Sequence, residues 1–303
     1  MLRNSRQGRN PTFVQRKSAP VNPVLAENQD DPVTIPCYFI NLDHAVSRRQ
    51  HMQLQAGQIG VSLTRIPGVI GSQLTLDEAR TWNPRPLSGK YLSANEIGCF
   101  LSHRRAWESI AEGQSDFAAV FEDDICLSRD ASELLANDHW IPPRTDLIKI
   151  ETFNRKVLLK PPFVPVPGGR QLAKLAYQHY GTAGYIVSRT SAARLLAATK
   201  TFSVPVDVAM FSPKSRPVAN FDVMQLSPAI CIQEMRALPQ VAPQDIEASA
   251  IGASRSERLN RGQTRWRQCL KAIGAPIENA VREARQHTRS ILHKSRWGVV
   301  DYS

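Results

Sequence analysis

No part of the chain is apolar over the roughly 20 residues needed to span a bilayer, so no membrane span is predicted. The first 18 residues are polar and hold no apolar core of a secretory signal. Cysteine is scarce and odd in number: Cys37, Cys99, Cys126, Cys231 and Cys269 lie far apart, and no C-x-x-C occurs. A disulfide scaffold is thereby excluded, and buried reduced thiols of a cytosolic protein are expected. A Walker A loop, H-E-x-x-H, G-x-S-x-G and any zinc-ligand spacing are also missing. P-loop chemistry, zincin chemistry and serine-hydrolase chemistry therefore have no footing here.

Negative charge is also in deficit. Against 38 Lys and Arg stand 27 Asp and Glu in 303 residues, a formal net charge of +11. The excess is uneven: residues 1–32 carry +2, residues 33–239 carry +4 and residues 240–303 carry +5. A nucleic-acid-binding surface running through the whole chain would spread its basic residues across the core. Here the core is close to balanced, so no nucleic-acid partner is expected.

What is present reads as an α/β protein with a mainly parallel central sheet. Residues 1–32 lack periodicity and are read as a disordered segment. Residues 35–43 hold a short apolar run that predicts a buried strand, residues 47–58 a helix, and residues 63–67 a second strand: a βαβ opening. Ser93 and Glu96 have capping-box spacing and open a helix that ends near Gly113. Strands are expected at 117–121, 146–150, 181–187 and 228–233, a helix at 190–198, and a proline-rich loop at 161–169. After residue 239, Leu259, Trp266, Leu270 and Ile273 recur at helical spacing among arginines, which predicts a basic amphipathic helical extension over 240–303. Such an extension suits adsorption to an anionic membrane surface or packing on the domain.

The sharpest chemical feature is Glu122-Asp123-Asp124, placed directly after a short apolar strand. Adjacent carboxylates at a buried strand end repel one another, and a hard divalent cation relieves both the repulsion and the desolvation. In open α/β sheets ligands bind beyond the carboxyl ends of strands, where these acids fall. Asn41 and Asp43, followed by Arg48, form a second strand end that can grip a nucleotide or simply make a turn. Glu96 and His103 lie on one face of the helix opened by that capping box. Asp207 follows a short apolar run and is read as a general base or an N-cap. Gly181 and Gly184 permit close approach by a ligand or tight packing of the sheet.

These motifs, in this order, resemble glycosyltransferase family 25, the lipopolysaccharide and lipooligosaccharide glycosyltransferases related to the collagen galactosyltransferase domains. Phe39-Ile40-Asn41-Leu42-Asp43 with Arg48 resembles its I-N-L-D/E-x-x-x-x-R opening. Glu96-Ile97-Gly98-Cys99, with Ser102, His103 and Trp107, resembles its G/N-E-I-G-C-x-x-S-H-x-x-x-W segment. Phe121-Glu122-Asp123-Asp124 resembles its L/F-E-D-D motif. The run from Gly181 through Gly184, Tyr185 and Ser188 resembles its G-x-x-G-Y-x-I/V-S segment, and Pro205-Val206-Asp207 its P-x-D element. The resemblance covers residues 35–235 and neither end of the chain.

The resemblance implies a GT-A-like fold over residues 33–239, a UDP-sugar donor carrying galactose or glucose, and transfer with inversion to a lipopolysaccharide, lipid-linked or other glycan acceptor. It implies that Glu122, Asp123 and Asp124 hold Mn²⁺ or Mg²⁺ against the diphosphate. Asp207 is then the first candidate for the base and Glu151 the second. Asn41, Asp43, Arg48, Glu96, His103, Gly181 and Gly184 would bind or line the donor. The expected location is the cytoplasm, at the inner face of the membrane. The competing readings are a metal-dependent nucleotidyl- or phosphoryltransferase, which needs a glycine-rich phosphate loop or a second acidic pair, and a non-enzymatic basic protein.

Overall fold

The computed structural model describes Met1 and residues 34–85, 90–214, 220–237 and 295–303. The expected disordered segment, Met1 apart, and the expected helical stretch over 240–294 lie outside the described residues. The described elements run β1 (Cys37–Asn41), α1 (Val46–Gln58), β2 (Leu63–Pro67), α2 (Leu76–Trp82), α3 (Ala94–Glu112), β3 (Phe117–Glu122), β4 (Ile125–Leu127), α4 (Ala131–Leu135), β5 (Leu147–Lys149) and β6 (Glu151–Thr152). They continue with β7 (Lys156–Val166), β8 (Arg170–Leu175), β9 (Gly184–Ser188), α5 (Arg189–Ala198), α6 (Val206–Phe211), β10 (Val223–Ser227), β11 (Cys231–Gln233), α7 (Glu234–Ala237) and β12 (Arg296–Val299).

Nine strands form one sheet in the order β12-β7-β8-β10-β5-β9-β3-β1-β2, and a small sheet, β4-β11-β6, flanks it. The βαβ opening is present: β1 lies parallel to β2 and to β3. The large sheet is nevertheless mixed rather than mainly parallel. Strand β9 runs antiparallel to both β3 and β5, and β8 runs antiparallel to both β7 and β10. The physical reason is that an unbroken apolar run reports burial on both faces and carries no information on strand direction. Strand β9 is buried at all five positions although both neighbours oppose it.

Alternation along the strands divides the core between two faces. Ala118, Val120, Tyr185 and Val187 pack with Phe100, Trp107 and Ile110 of α3 and with Leu195 of α5. Cys37, Phe39, Ala119, Phe121 and Ile186 pack on the other face with Met52 of α1 and Leu134 of α4. The capping box that opens α3 forms as expected. Ser93 Oγ accepts from the Glu96 N–H at 3.2 Å, and Glu96 Oε2 accepts from the Ser93 N–H at 2.9 Å.

Two further expectations change. The proline-rich stretch 161–169 is not a loop over most of its length: β7 runs through Pro161, Pro162 and Pro165 to Val166. Strand β12 pairs only with the first part of β7, Lys156 to Leu159. Beyond it β7 has β8 as its one described neighbour, with a register break between Lys160 and Val164. Prolines are tolerated at such a bulged edge because no ladder there needs their missing N–H. The last nine residues are likewise not helical. They form β12 on the sheet edge and a return in which Val300 is buried and its carbonyl accepts from Thr152 Oγ1 at 2.5 Å. None of the described helices is long and apolar enough to cross a membrane.

Candidate active site

The carboxyl ends of β1 and β3 lie side by side, and the turn after β3 delivers three carboxylates to the same place. Each has a different environment. Asp123 is nearly buried and committed: its carboxylate accepts from Asn41 Nδ2 at 2.6 Å and from Arg48 Nη1 at 3.0 Å. Burial still leaves its carboxyl above the usual range, although Asn41 and Arg48 oppose the shift. Glu122 accepts from Thr182 Oγ1 at 2.6 Å and faces His103 Nε2 at 3.5 Å. Burial would raise it, but His103, Thr182 and Lys149 together outweigh burial and hold it low.

Asp124 is the least satisfied of the three. Its Oδ1 is buried and makes no hydrogen bond to any described residue, and its Oδ2 has Gln233 Nε2 at 3.5 Å. Burial first, then Glu122 and Asp123, push its carboxyl up to about 7. A buried oxygen with no donor, next to two more carboxylates, is short of positive charge. This donor set is all oxygen and suits a hard divalent cation.

Behind Glu122 stands a buried polar chain. Trp107 Nε1 donates to Tyr185 Oη at 2.9 Å, and Tyr185 Oη lies 3.0 Å from His103 Nδ1. Indole N–H can only donate, so Tyr185 Oη accepts from Trp107 and shares a second hydrogen bond with His103 Nδ1, while His103 Nε2 faces Glu122. Cys99, His103 and Glu122 place one potential metal-ligand atom each within 4.8 Å of one another. Burial and four surrounding acids push the Cys99 thiol well up, so it stays protonated, and the trio is read as bracing for Glu122.

Around Asn41 the site is wetter. Asn41 is buried and donates to Ala45 O at 2.9 Å as well as to Asp123, and its Oδ1 accepts from Arg65 Nε at 3.0 Å. Its amide is a brace rather than a ligand contact. Asp43 is exposed and paired with Arg65, whose neighbouring guanidinium holds its carboxyl below the usual range. Asp43 is the most exposed side chain of this group, and Arg48 and Arg65 are partly exposed.

On the opposite side the charges are dry. Lys149 and Glu151 are both fully buried, with Nζ 2.6 Å from Oε1. Glu151 Oε1 also accepts from the Ala183 N–H at 2.8 Å. Burial, opposed by Lys149, leaves its carboxyl raised to about 6. Asp207 sits in the first turn of α6, nearly buried, where Oδ2 accepts from the Gly181 N–H at 3.2 Å and Oδ1 from the Val208 N–H at 2.9 Å. Gly181 has φ +83°, a conformation open to glycine, and a Cβ there would stand 3.2 Å from the Glu151 carboxylate. Gly184 differs: a Cβ there would come 2.2 Å from Cys231 Sγ, so this glycine permits strand packing and not ligand approach.

The family model for glycosyltransferase family 25, described as an LPS biosynthesis protein, matches residues 34–210. The chain belongs to this family. The lacto-N-neotetraose biosynthesis glycosyltransferase LgtB of Neisseria gonorrhoeae is 34% identical over 245 residues, covering 76% of this chain and 84% of that one. Lipooligosaccharide biosynthesis protein lic2B of Haemophilus influenzae is 28% identical over 219 residues, 69% of this chain and 79% of that one. Lex-1 of H. influenzae strain Rd, also described as a lipooligosaccharide biosynthesis protein, is 32% identical over 219 residues, 69% of this chain and 68% of that one. The chain is therefore a glycosyltransferase of family 25.

In this family-25 glycosyltransferase the residues singled out in the sequence fall into three groups. Arg48, His103, Glu122, Asp123, Asp124, Gly181 and Asp207 converge on the strand ends, with Asn41 as their brace and Asp43 at the rim. Glu96 closes the helix cap and is buried at the start of α3. Gly184 packs the sheet, and Glu151 is enclosed with Lys149. Sequence reading missed Arg65, Lys149, Thr182 and Gln233. One of them had a signal: Lys149 lies between Ile148 and Ile150 in an apolar strand, and a charge there needs a partner on its own face, which Glu151, two residues on, provides. Arg104 and Arg105 of α3 are engaged by backbone carbonyls. Arg104 binds Leu196 O and Thr199 O at the end of α5, and Arg105 binds Pro67 O.

Proposed function

We propose that the chain transfers galactose or glucose from a UDP-sugar to a lipooligosaccharide or related glycan acceptor, with inversion and with a divalent cation, on a GT-A-like scaffold. The observation that carries this reading is Asp124: a buried carboxylate oxygen with no donor, flanked by two more acids at the end of a strand, in a chain of this family. Asp124 would hold Mn²⁺ or Mg²⁺ with help from Asp123 and Glu122. When bound, the cation supplies Lewis-acid neutralisation of the UDP diphosphate. Arg48 is placed to add positive charge at the same point, and Asp43 at the rim suits a ribose or hexose hydroxyl.

The acceptor oxygen attacks the anomeric carbon as the bond to UDP breaks, and its proton passes to a carboxylate. Asp207 fits that task. Its hydrogen bonds from the Gly181 and Val208 N–H groups fix the orientation of its carboxylate at the strand ends. Glu151 fits it poorly, because it is fully buried and bound to Lys149. The names of the relatives support a lipooligosaccharide acceptor. A cytoplasmic enzyme adsorbed at the inner face of the membrane is the matching location.

The test is UDP release across a panel of UDP-sugars with and without Mn²⁺, with mass detection of the transferred hexose. Divalent-dependent release from one UDP-hexose is the expected result. No release and no UDP binding by the folded protein would end this reading.

A further inference from the structure

Lys149 has no part in the chemistry proposed above, yet it is a fully buried cation in the middle of the sheet. Its Nζ lies 2.6 Å from Glu151 Oε1 and 2.6 Å from Gly181 O, and 4.2 Å from the centroid of the Phe211 ring. Two hydrogen bonds and one ring face account for its three protons. A fully buried ion pair is no better for stability than well-packed apolar residues of the same volume. Stability therefore does not explain why a lysine stands here, and its second acceptor, the Gly181 carbonyl, becomes the informative contact.

That carbonyl belongs to a turn whose polar groups are tied to the acids of the site. The Gly181 N–H donates to Asp207 Oδ2 at 3.2 Å, Thr182 Oγ1 to Glu122 Oε1 at 2.6 Å, and the Ala183 N–H to Glu151 Oε1 at 2.8 Å. The Ala183 carbonyl in turn accepts from the Glu122 N–H at 3.0 Å. The turn starts at positive φ, a conformation that glycine adopts without strain, so its orientation is set by these contacts.

Resting on the proposed UDP-sugar chemistry, we infer that Lys149 is a positioning residue. It clips the 181–183 turn through the Gly181 carbonyl, so that Asp207 and Glu122 keep their orientation toward the reacting sugar. Lys149 touches no substrate on this account, since it is fully buried and its donors are used. Losing the clip frees Gly181 to rotate, and a misplacement of about 1 Å in a site of this kind lowers turnover by up to about 100-fold.

Three variants test the inference: Lys149→Met, Lys149→Met with Glu151→Gln, and Asp207→Asn as the reference for a missing base. Each is assayed for UDP release from the UDP-hexose that the wild-type chain uses, together with its Tm. Lys149→Met alone leaves a buried unpaired carboxylate and is expected to lower the Tm. The double variant buries no unpaired charge and recovers most of the Tm. Its Gly181 carbonyl still lacks the lysine, so kcat stays about 10- to 100-fold below wild type. The KM for the UDP-hexose stays within about twofold, because Asp43 and Arg48 are untouched.

Recovery of kcat along with the Tm would show that the lysine only stabilises the fold and would overturn the inference. A loss confined to KM, or a double variant as slow as Asp207→Asn, would overturn it as well, the latter by assigning Glu151 to the chemistry. A wild-type chain that releases no UDP from any UDP-sugar brings down the parent reading and this one together. Normal wild-type turnover beside an unchanged double variant removes the role of Lys149 alone.

Discussion

Asp123 and Glu151 are both acids of one site, each bonded to a cation, yet they live in different media. On the Asn41 side, Asp123 meets an Arg48 that is 30% exposed, and Asp43 meets Arg65 at the solvent boundary. On the Lys149 side, both partners are at 0% exposure. On the Asn41 side Arg48 and Asp43 keep part of their water, which leaves their pairs adjustable. Charges that lose it become rigid, and removing one partner is then severe. The wet side can rearrange around a nucleotide, while the dry side holds a carboxylate in one geometry. A transferase needs both, since the donor enters and leaves while the base must be in place at each turnover.

The comparison can be broken most decisively at the base. Asp207→Asn is expected to lower kcat about 10²- to 10⁴-fold with little change in UDP-sugar KM, measured as steady-state UDP release. Equal loss of both would make Asp207 a structural residue. Next comes the dry pair. Lys149→Met should destabilise the fold by about 3–5 kcal/mol in urea unfolding, through the stranded Glu151 charge. A loss below about 1 kcal/mol would show that water reaches the pair and that the contrast drawn above is too sharp.

Asp124 lies between these extremes, and its effect has a sign that pH reveals. Its carboxyl stands near 7 in the folded protein, against about 3.9 for a free aspartate. The folded state therefore binds this proton more tightly than the unfolded state does. That contribution is fully present at low pH and is lost as pH rises through 7. Without divalent cations, the Tm should rise by a few degrees between pH 8 and pH 6, and Asp124→Asn should flatten the rise while abolishing metal-dependent turnover. Mn²⁺ should raise the Tm more at pH 8 than at pH 6, because the cation needs the deprotonated acid. A metal-free Tm that falls between pH 8 and pH 6 would contradict the crowding of Asp124. The smallest effect belongs to the rim: Asp43→Asn should leave the Tm unchanged and alter only the UDP-sugar KM, more at low salt than at high.

Much of this site was visible in the chain itself. Glu122-Asp123-Asp124 after an apolar strand, and Asn41 with Asp43 at the end of another, are local patterns, and strand ends put such residues at a sheet's edge. The Ser93 and Glu96 cap was equally plain, because its partners lie three residues apart. Arg65, Thr182 and Gln233 left no such trace. Their roles depend on which strand lies beside which, and Thr182 meets Glu122 across 60 residues of sequence. The same limit explains the sheet. Burial on both faces of β9 was legible as an apolar run, while its antiparallel direction was not. The prolines of β7 suggested a loop because nothing local reveals that half of that strand pairs with β8 alone among the described residues.

The sequence by itself determined the family, the acidic strand end and the order of the motifs, because each is written in residues close along the chain. Tertiary structure alone decided which acids are free to act. Asp123 is occupied by Asn41 and Arg48, Glu151 is held through Oε1 by Lys149, and Asp124 has no cation bonded to it among the described residues. Burial and long-range hydrogen bonds set those states, and both depend on how distant segments pack. A carboxylate's chemistry follows from what surrounds it as much as from what it is.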